Sequence, residues 1–204
     1  MEKFSIFIKS NKFNWTVNKI AFIVFAIIFI VFQINKNFEN PFEDSINKCT
    51  GLIGFAFVIG GILYRISRFE KPEKLNGKLD GFLEFKLDSI IIDQKQYSID
   101  EIEKISIVNN DFYGKLTRVL SPLFDSNLSN GVDNHLTLTL KDKRKVSCMF
   151  EIYREQDIRK LDEILINYYS LGKIDFYILI KILKLEHDEI EDFKKRYNIK
   201  TTSH

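Results

Sequence analysis

The chain reads as an α+β protein, a two-helix transmembrane hairpin followed by an antiparallel β-domain closed by helices. Three observations predict this. Two uncharged apolar stretches, Ile20–Ile34 and Thr50–Tyr64, stand close together early in the chain. After Leu75 the apolar positions fall at every second residue, the period of half-buried strands. From Asp157 the period becomes helical, with one apolar face.

A helix rises about 1.5 Å per residue, so a hydrocarbon core of about 30 Å takes roughly 20 residues. The first stretch reaches that length when extended back through Val17, Trp15 and Phe13. The expected spans are therefore about 15–34 and 49–66. Trp15 is the single tryptophan, and its amphipathic ring suits an interfacial belt. No small-x-small cleavage site follows the first run, which favours a retained anchor over a signal peptide. Lys3, Lys9, Lys12 and Lys19 precede the first span, and Arg65, Arg68, Lys71, Lys74 and Lys78 surround the exit of the second. The link between them has only Lys36 and Lys48, with Glu39, Glu43 and Asp44. The positive-inside rule then puts both termini in the cytoplasm of a multi-pass inner or plasma membrane protein.

The second span carries Gly51, Gly54, Gly60 and Gly61. Ala56 and Gly60 make a small-xxx-small pair, which lets helices approach closely. Packing on the first span is the favoured use, and a homodimer is the alternative. No ionisable residue lies at the centre of either span, which argues against a proton relay or ion path.

The 204 residues leave room for the hairpin, residues 1–74, plus one small domain. Residues 1–74 carry a net charge of +4 and residues 75–204 a net −2. The soluble part is not a basic nucleic-acid binder by bulk charge, so no nucleic acid partner is expected. The two cysteines, Cys49 and Cys148, fall on opposite sides of the membrane in this topology. No Cys/His cluster has zinc-site spacing, and no metal or other cofactor is expected. Richness in Ile, Lys, Asn and Phe suggests a bacterial, AT-rich genome.

Past the spans, residues 67–78 form a short charged connector that holds the next domain at the membrane surface. Leu79, Gly81, Leu83, Phe85 and Leu87 mark a first strand, Ile90–Ile92 a second, and Tyr97–Ile99 a third. Ile102, Ile105 and Ile107 lead a fourth. Residues 109–134 break the pattern with turn residues, yet hold Phe112, Tyr113, Leu120 and Phe124. A loop this long in a small domain is functional or disordered. Leu136–Leu140 and Val146–Phe150 form a clear hairpin, with Lys141, Lys143, Arg144 and Lys145 at its tip. Ile158, Leu161, Leu165 and Tyr168 share one helix face, which Gly172 ends. A buried helix over 175–185 and a final helix bearing Ile190, Phe193 and Tyr197 follow. The expected division is 1–74, 75–172 and a C-terminal helical pair at 173–204.

The residues Gly81-x-Leu83-x-Phe85, Ile90-x-Ile92, Tyr97-x-Ile99-x-x-Ile102-x-x-Ile105, Asp111-x-Tyr113-Gly114 and Asn134-x-Leu136-x-Leu138 carry a resemblance. Over residues 79–170 the chain resembles bacterial two-span membrane proteins with a pleckstrin-homology-like domain. The resemblance implies an antiparallel barrel or sandwich, one end closed by a helix at 157–169. It also implies an interaction module rather than an enzyme. Eukaryotic relatives bind phosphoinositides through bases around their first loop, whereas here that turn is Leu87-Asp88-Ser89.

Nucleophile elbows, P-loops, dinucleotide fingerprints and HExxH are absent from the sequence, so no catalytic residue is assigned. The expected function is a membrane-anchored, non-enzymatic interaction or scaffold module. Phe112, Tyr113, Leu120 and Phe124 are its candidate contacts with a protein partner. The alternative is a sensor of anionic lipid using Lys141, Lys143, Arg144 and Lys145, each worth about 1 kcal/mol near a charged surface.

Overall fold

The computed structural model describes residues 3–37, 43–68, 71–72, 74–116 and 128–199. These form two compact units.

The larger unit is built on one antiparallel sheet. Its strands are β1 (Lys3–Lys9), β2 (Gly77–Phe85), β3 (Ser89–Ile92), β4 (Lys95–Ser98), β5 (Ile102–Val108), β8 (Asn134–Leu140) and β9 (Lys145–Phe150). A two-stranded ribbon, β6 (Tyr113–Leu116) and β7 (Leu128–Asn130), interrupts the numbering. The seven strands lie in the order β4-β3-β2-β1-β9-β8-β5. Strand β1 therefore occupies the middle of the sheet. It pairs with β2 from Lys3 opposite Glu84 to Lys9 opposite Gly77, and with β9 through Ile6 and Phe7. This departs from the reading of residues 1–74 as hairpin alone. Phe4 and Ile6 point into the core, as period-two residues of a strand should.

The sheet is open rather than a closed barrel, because β4 and β5 are its two ends. At the β5 end the Ile105 amide donates to the Lys173 carbonyl at 2.9 Å. A turn from the helical region thus takes a bond that barrel closure would have given to another strand.

A 3-10 segment, Glu155–Leu161, runs into α3 (Asp162–Ser170). Ile158, Leu161, Leu165 and Tyr168 are all fully buried, as their spacing requires. Gly172 follows at φ +69°, a left-handed stop for which glycine has no steric penalty. Helices α4 (Phe176–Leu183) and α5 (His187–Arg196) complete the unit. Leu179, Ile182, Leu183 and Phe193 join the same core as the sheet. The C-terminal pair is thus part of the domain and not an appendage.

The smaller unit holds α1 (Val17–Asn37) and α2 (Glu43–Arg68). Both are long and apolar enough to cross a membrane, with mean hydropathy 2.4 and 1.8 over an 18-residue stretch within Val17–Lys36 and Asp44–Ser67 respectively. At 21 and 26 residues they reach about 32 and 39 Å. Most of their apolar side chains face outward; among these are Phe22, Phe29, Leu52 and Phe55. Helix α1 begins later than the expected residue 15. Thr16 Oγ1 accepts the Lys19 amide at 3.3 Å, a cap that starts the helix after Trp15. The helices meet through Gly54 against Ile28, at 3.7 Å for an added Cβ, and an edge-on Phe25–Phe57 pair. Asn35 donates to Asn47 at 2.9 Å. Ala56 and Gly60, expected at this contact, instead line an open groove of about 330 Å³ with Val17, Phe57, Gly61 and Tyr64.

Candidate functional site

The break in the strand pattern after Val108 is built from buried polar side chains. Asn109 is buried and donates to the Ile182 carbonyl at 2.7 Å. Asn134 is fully buried; its amide donates to the Gly131 and Phe150 carbonyls at 2.9 and 3.2 Å. Its carbonyl accepts the Asp111 amide at 3.0 Å, and the Asp111 carboxylate accepts the Asp133 amide at 3.0 Å. A buried asparagine satisfied this fully specifies one backbone path.

That path displays aromatic side chains. Phe112 packs against the core, with Lys115 Nζ and Lys184 Nζ 5.7 and 5.6 Å from its ring centre. Lys115 also donates to the Asn110 carbonyl. Tyr113 turns outward, 40% exposed, and stacks on Tyr153, 59% exposed, at 5.1 Å and 21°. The Tyr113 amide donates to the Ile152 carbonyl at 2.9 Å, and the Ile152 amide to Gly131 at 2.8 Å. Gly131 has φ +73°, and a Cβ there would stand 2.4 Å from both the Ile152 oxygen and the Tyr113 nitrogen. The close crossing of these backbones explains the glycine.

Of the four aromatic and apolar residues expected to bind a partner, Phe112 is an anchor and Tyr113 is displayed. Leu120 and Phe124 lie outside the described residues. Tyr153 was not foreseen. Its role comes from a tertiary pairing between segments far apart in sequence, and nothing local signals it.

The basic tip is partly neutralised. Lys143 Nζ lies 2.6 and 2.8 Å from the two Glu103 oxygens. Arg144 Nε donates to Asp142 at 2.6 Å. The Arg144 amide, then its guanidinium, hold the Asp142 carboxyl below the ordinary carboxylate range. Lys141 and Lys145 are exposed. Beside the tip, a cleft of about 390 Å³ contains Lys104 and Lys173, already bonded to Asp175 at 3.4 Å and to the Ile102 carbonyl at 2.6 Å.

A larger cleft of about 820 Å³ lies between the β2–β3 turn and the start of α3, with Tyr197 on its wall. Arg159 spends its donors on the Leu183 and Lys184 carbonyls and on Glu189, clamping α4 and α5 to the helix start. Burial raises the Asp162 carboxyl above its ordinary range, against the opposing pull of Arg159 and Arg196. Among the described residues no three His, Cys, Asp or Glu side chains group as a metal site.

Compared with known proteins, the chain matches no family model, no curated protein and no solved structure.

Proposed function

We propose that the chain is a membrane-anchored interaction module. Its α1–α2 hairpin spans the cytoplasmic membrane, and a pleckstrin-homology-like domain meets a protein partner through the Tyr113–Tyr153 surface. One observation carries this reading: β1, before the hairpin, and β2, after it, are neighbours in one sheet. The pairing continues to the hairpin's base, where the Ser10 amide donates to the Asn76 carbonyl at 3.0 Å. Two spans return a chain to the side it left, and one sheet formed from both flanks requires that return. The basic flanks support the cytoplasm as that side.

Seven antiparallel strands and a helix packed on them support the pleckstrin-homology-like assignment. The exposed tyrosine stack supports protein binding, since rigid aromatic side chains supply contact area at low entropic cost. Lipid sensing through Lys141, Lys143, Arg144 and Lys145 has weaker support, because Lys143 and Arg144 already hold carboxylates.

Photocrosslinking residues placed at Tyr153 and at Lys145 in the full chain, in cells, test the choice. A discrete protein adduct at Tyr153 is expected. Lipid adducts at Lys145 with none at Tyr153 would favour the sensor, and silence at both positions would refute each.

A further inference from the structure

The β6–β7 ribbon divides at its outer end from the sheet domain. Leu116 and Leu128–Ser129 belong to the same compact unit as α1 and α2. Within that unit, a parallel bridge joins Leu128 to Pro72. Helix α2 ends at Arg68, so the bridge at Pro72 comes four residues after the end of the span. Fully extended, they reach at most about 14 Å. The polar layer on each side of a bilayer is about 5–8 Å deep. Leu128 is thus tied near the headgroups of any membrane that α2 crosses.

Two further features ask for a surface. The ribbon strands have four and three residues and lie outside the seven-stranded sheet. A ribbon that small is marginal in water by itself. Leu116 is 67% exposed, and the connector beside the bridge carries Lys71 and Lys74. An exposed leucine in the compact unit that carries these lysines and the Leu128 bridge matches the chemistry of the boundary between anionic headgroups and acyl chains.

We propose that the outer end of the ribbon is a second membrane contact, with Leu116 seated in the headgroup–acyl boundary. This rests on the reading of α1 and α2 as spans, and it adds a lipid partner that the tyrosine surface does not use.

The test uses the full chain with Cys49→Ser and Cys148→Ser, in vesicles of phosphatidylcholine and phosphatidylglycerol. Single variants Leu116→Cys, Phe29→Cys and Tyr177→Cys carry an environment-sensitive fluorophore. Phe29 lies mid-span, and Tyr177 is an exposed residue of α4. The Leu116 label is expected to shift to the blue. Lipids brominated near the headgroup end should quench it, lipids brominated near the chain end should quench the Phe29 label, and neither should affect the Tyr177 label. Quenching at Leu116 no greater than at Tyr177 overturns the proposal. So does a blue shift without bromolipid quenching, which reports packing on protein. If the Phe29 label is also unquenched by the chain-end bromolipid, the spanning assignment fails and this contact fails with it. Leu116→Trp in a Trp15→Phe background repeats the measurement without a bulky label.

Discussion

Replacing Phe4 by alanine separates a sheet strand from a mere basic flank. Phe4 is 5% exposed and meets Phe150 edge-on at 5.5 Å and Phe85 at 6.1 Å. Truncating a buried phenylalanine costs about 3–5 kcal/mol. Strand β1 has neighbours on both sides, so the site cannot relax by fraying at an edge, and about 4 kcal/mol is expected. With a urea dependence of about 2 kcal/mol per molar, the unfolding midpoint should fall by about 2 M. Cys148 is the reporter. It lies half-buried in β9, and burial pushes its thiol up to about 11. At pH 8 the folded thiol alkylates far more slowly than the unfolded one. The assay follows alkylation against urea in nanodiscs, in a Cys49→Ser background. Ile8→Ala, at a position 46% exposed, is the control and should move the midpoint by no more than about 0.5 M. A Phe4→Ala shift below about 0.3 M would remove β1 from the sheet and refute the reasoning.

Other expectations can be checked alongside. Gly131→Ala should cost more than Gly114→Ala, which carries the φ penalty of about 1–2 kcal/mol alone. Both glycines have positive φ, but only the Gly131 Cβ meets backbone, at 2.4 Å; equal midpoints would contradict that crossing. A fragment of residues 75–204 should be unfolded by circular dichroism for lack of β1, and residues 1–10 joined to it by a short flexible linker should fold. A folded fragment without β1 would count against the observed strand order. The Cys148 pKa is higher folded than its ordinary value of 9.0. Its contribution to stability is therefore whole below about pH 9 and is lost as pH rises toward 11. Protease susceptibility should thus rise more between pH 8 and 10.5 in wild type than in Cys148→Ala, and a parallel rise would exclude this linkage.

Periodic segments were legible because burial acts on them locally. The face of Ile158, Leu161, Leu165 and Tyr168 and the hairpin from Leu136 to Phe150 appear at their expected places. Strand β1 carries the same kind of signal in Phe4-x-Ile6. Lys3 and Lys9 made it resemble a membrane flank, and its partners lie beyond two helices. Trp15 was read into the span because hydropathy does not see the Thr16 cap. The open sheet could not be read either, since the Lys173 carbonyl on Ile105 is a tertiary bond. At the candidate site, Tyr113 stood out as an aromatic among turn residues. Tyr153 and the backbone crossing at Gly131 depend on how Asn134 folds the break, and no local pattern encodes that.

The placement of β1 also sets an order of synthesis. The strand at the middle of the sheet leaves the ribosome before the hairpin, and neither neighbour exists until the hairpin has been made. If α1 and α2 enter a membrane as proposed, the strand must wait for its neighbours through the whole of insertion. When both helices enter the bilayer, the waiting strand meets β2 and the sheet can close. When only one enters, the two halves of the sheet are stranded on opposite faces, and the domain stays open to proteases. On the proposed spanning of α1 and α2, completion of the sheet would be a checkpoint on insertion, written into the chain by placing the hairpin between two strands that pair.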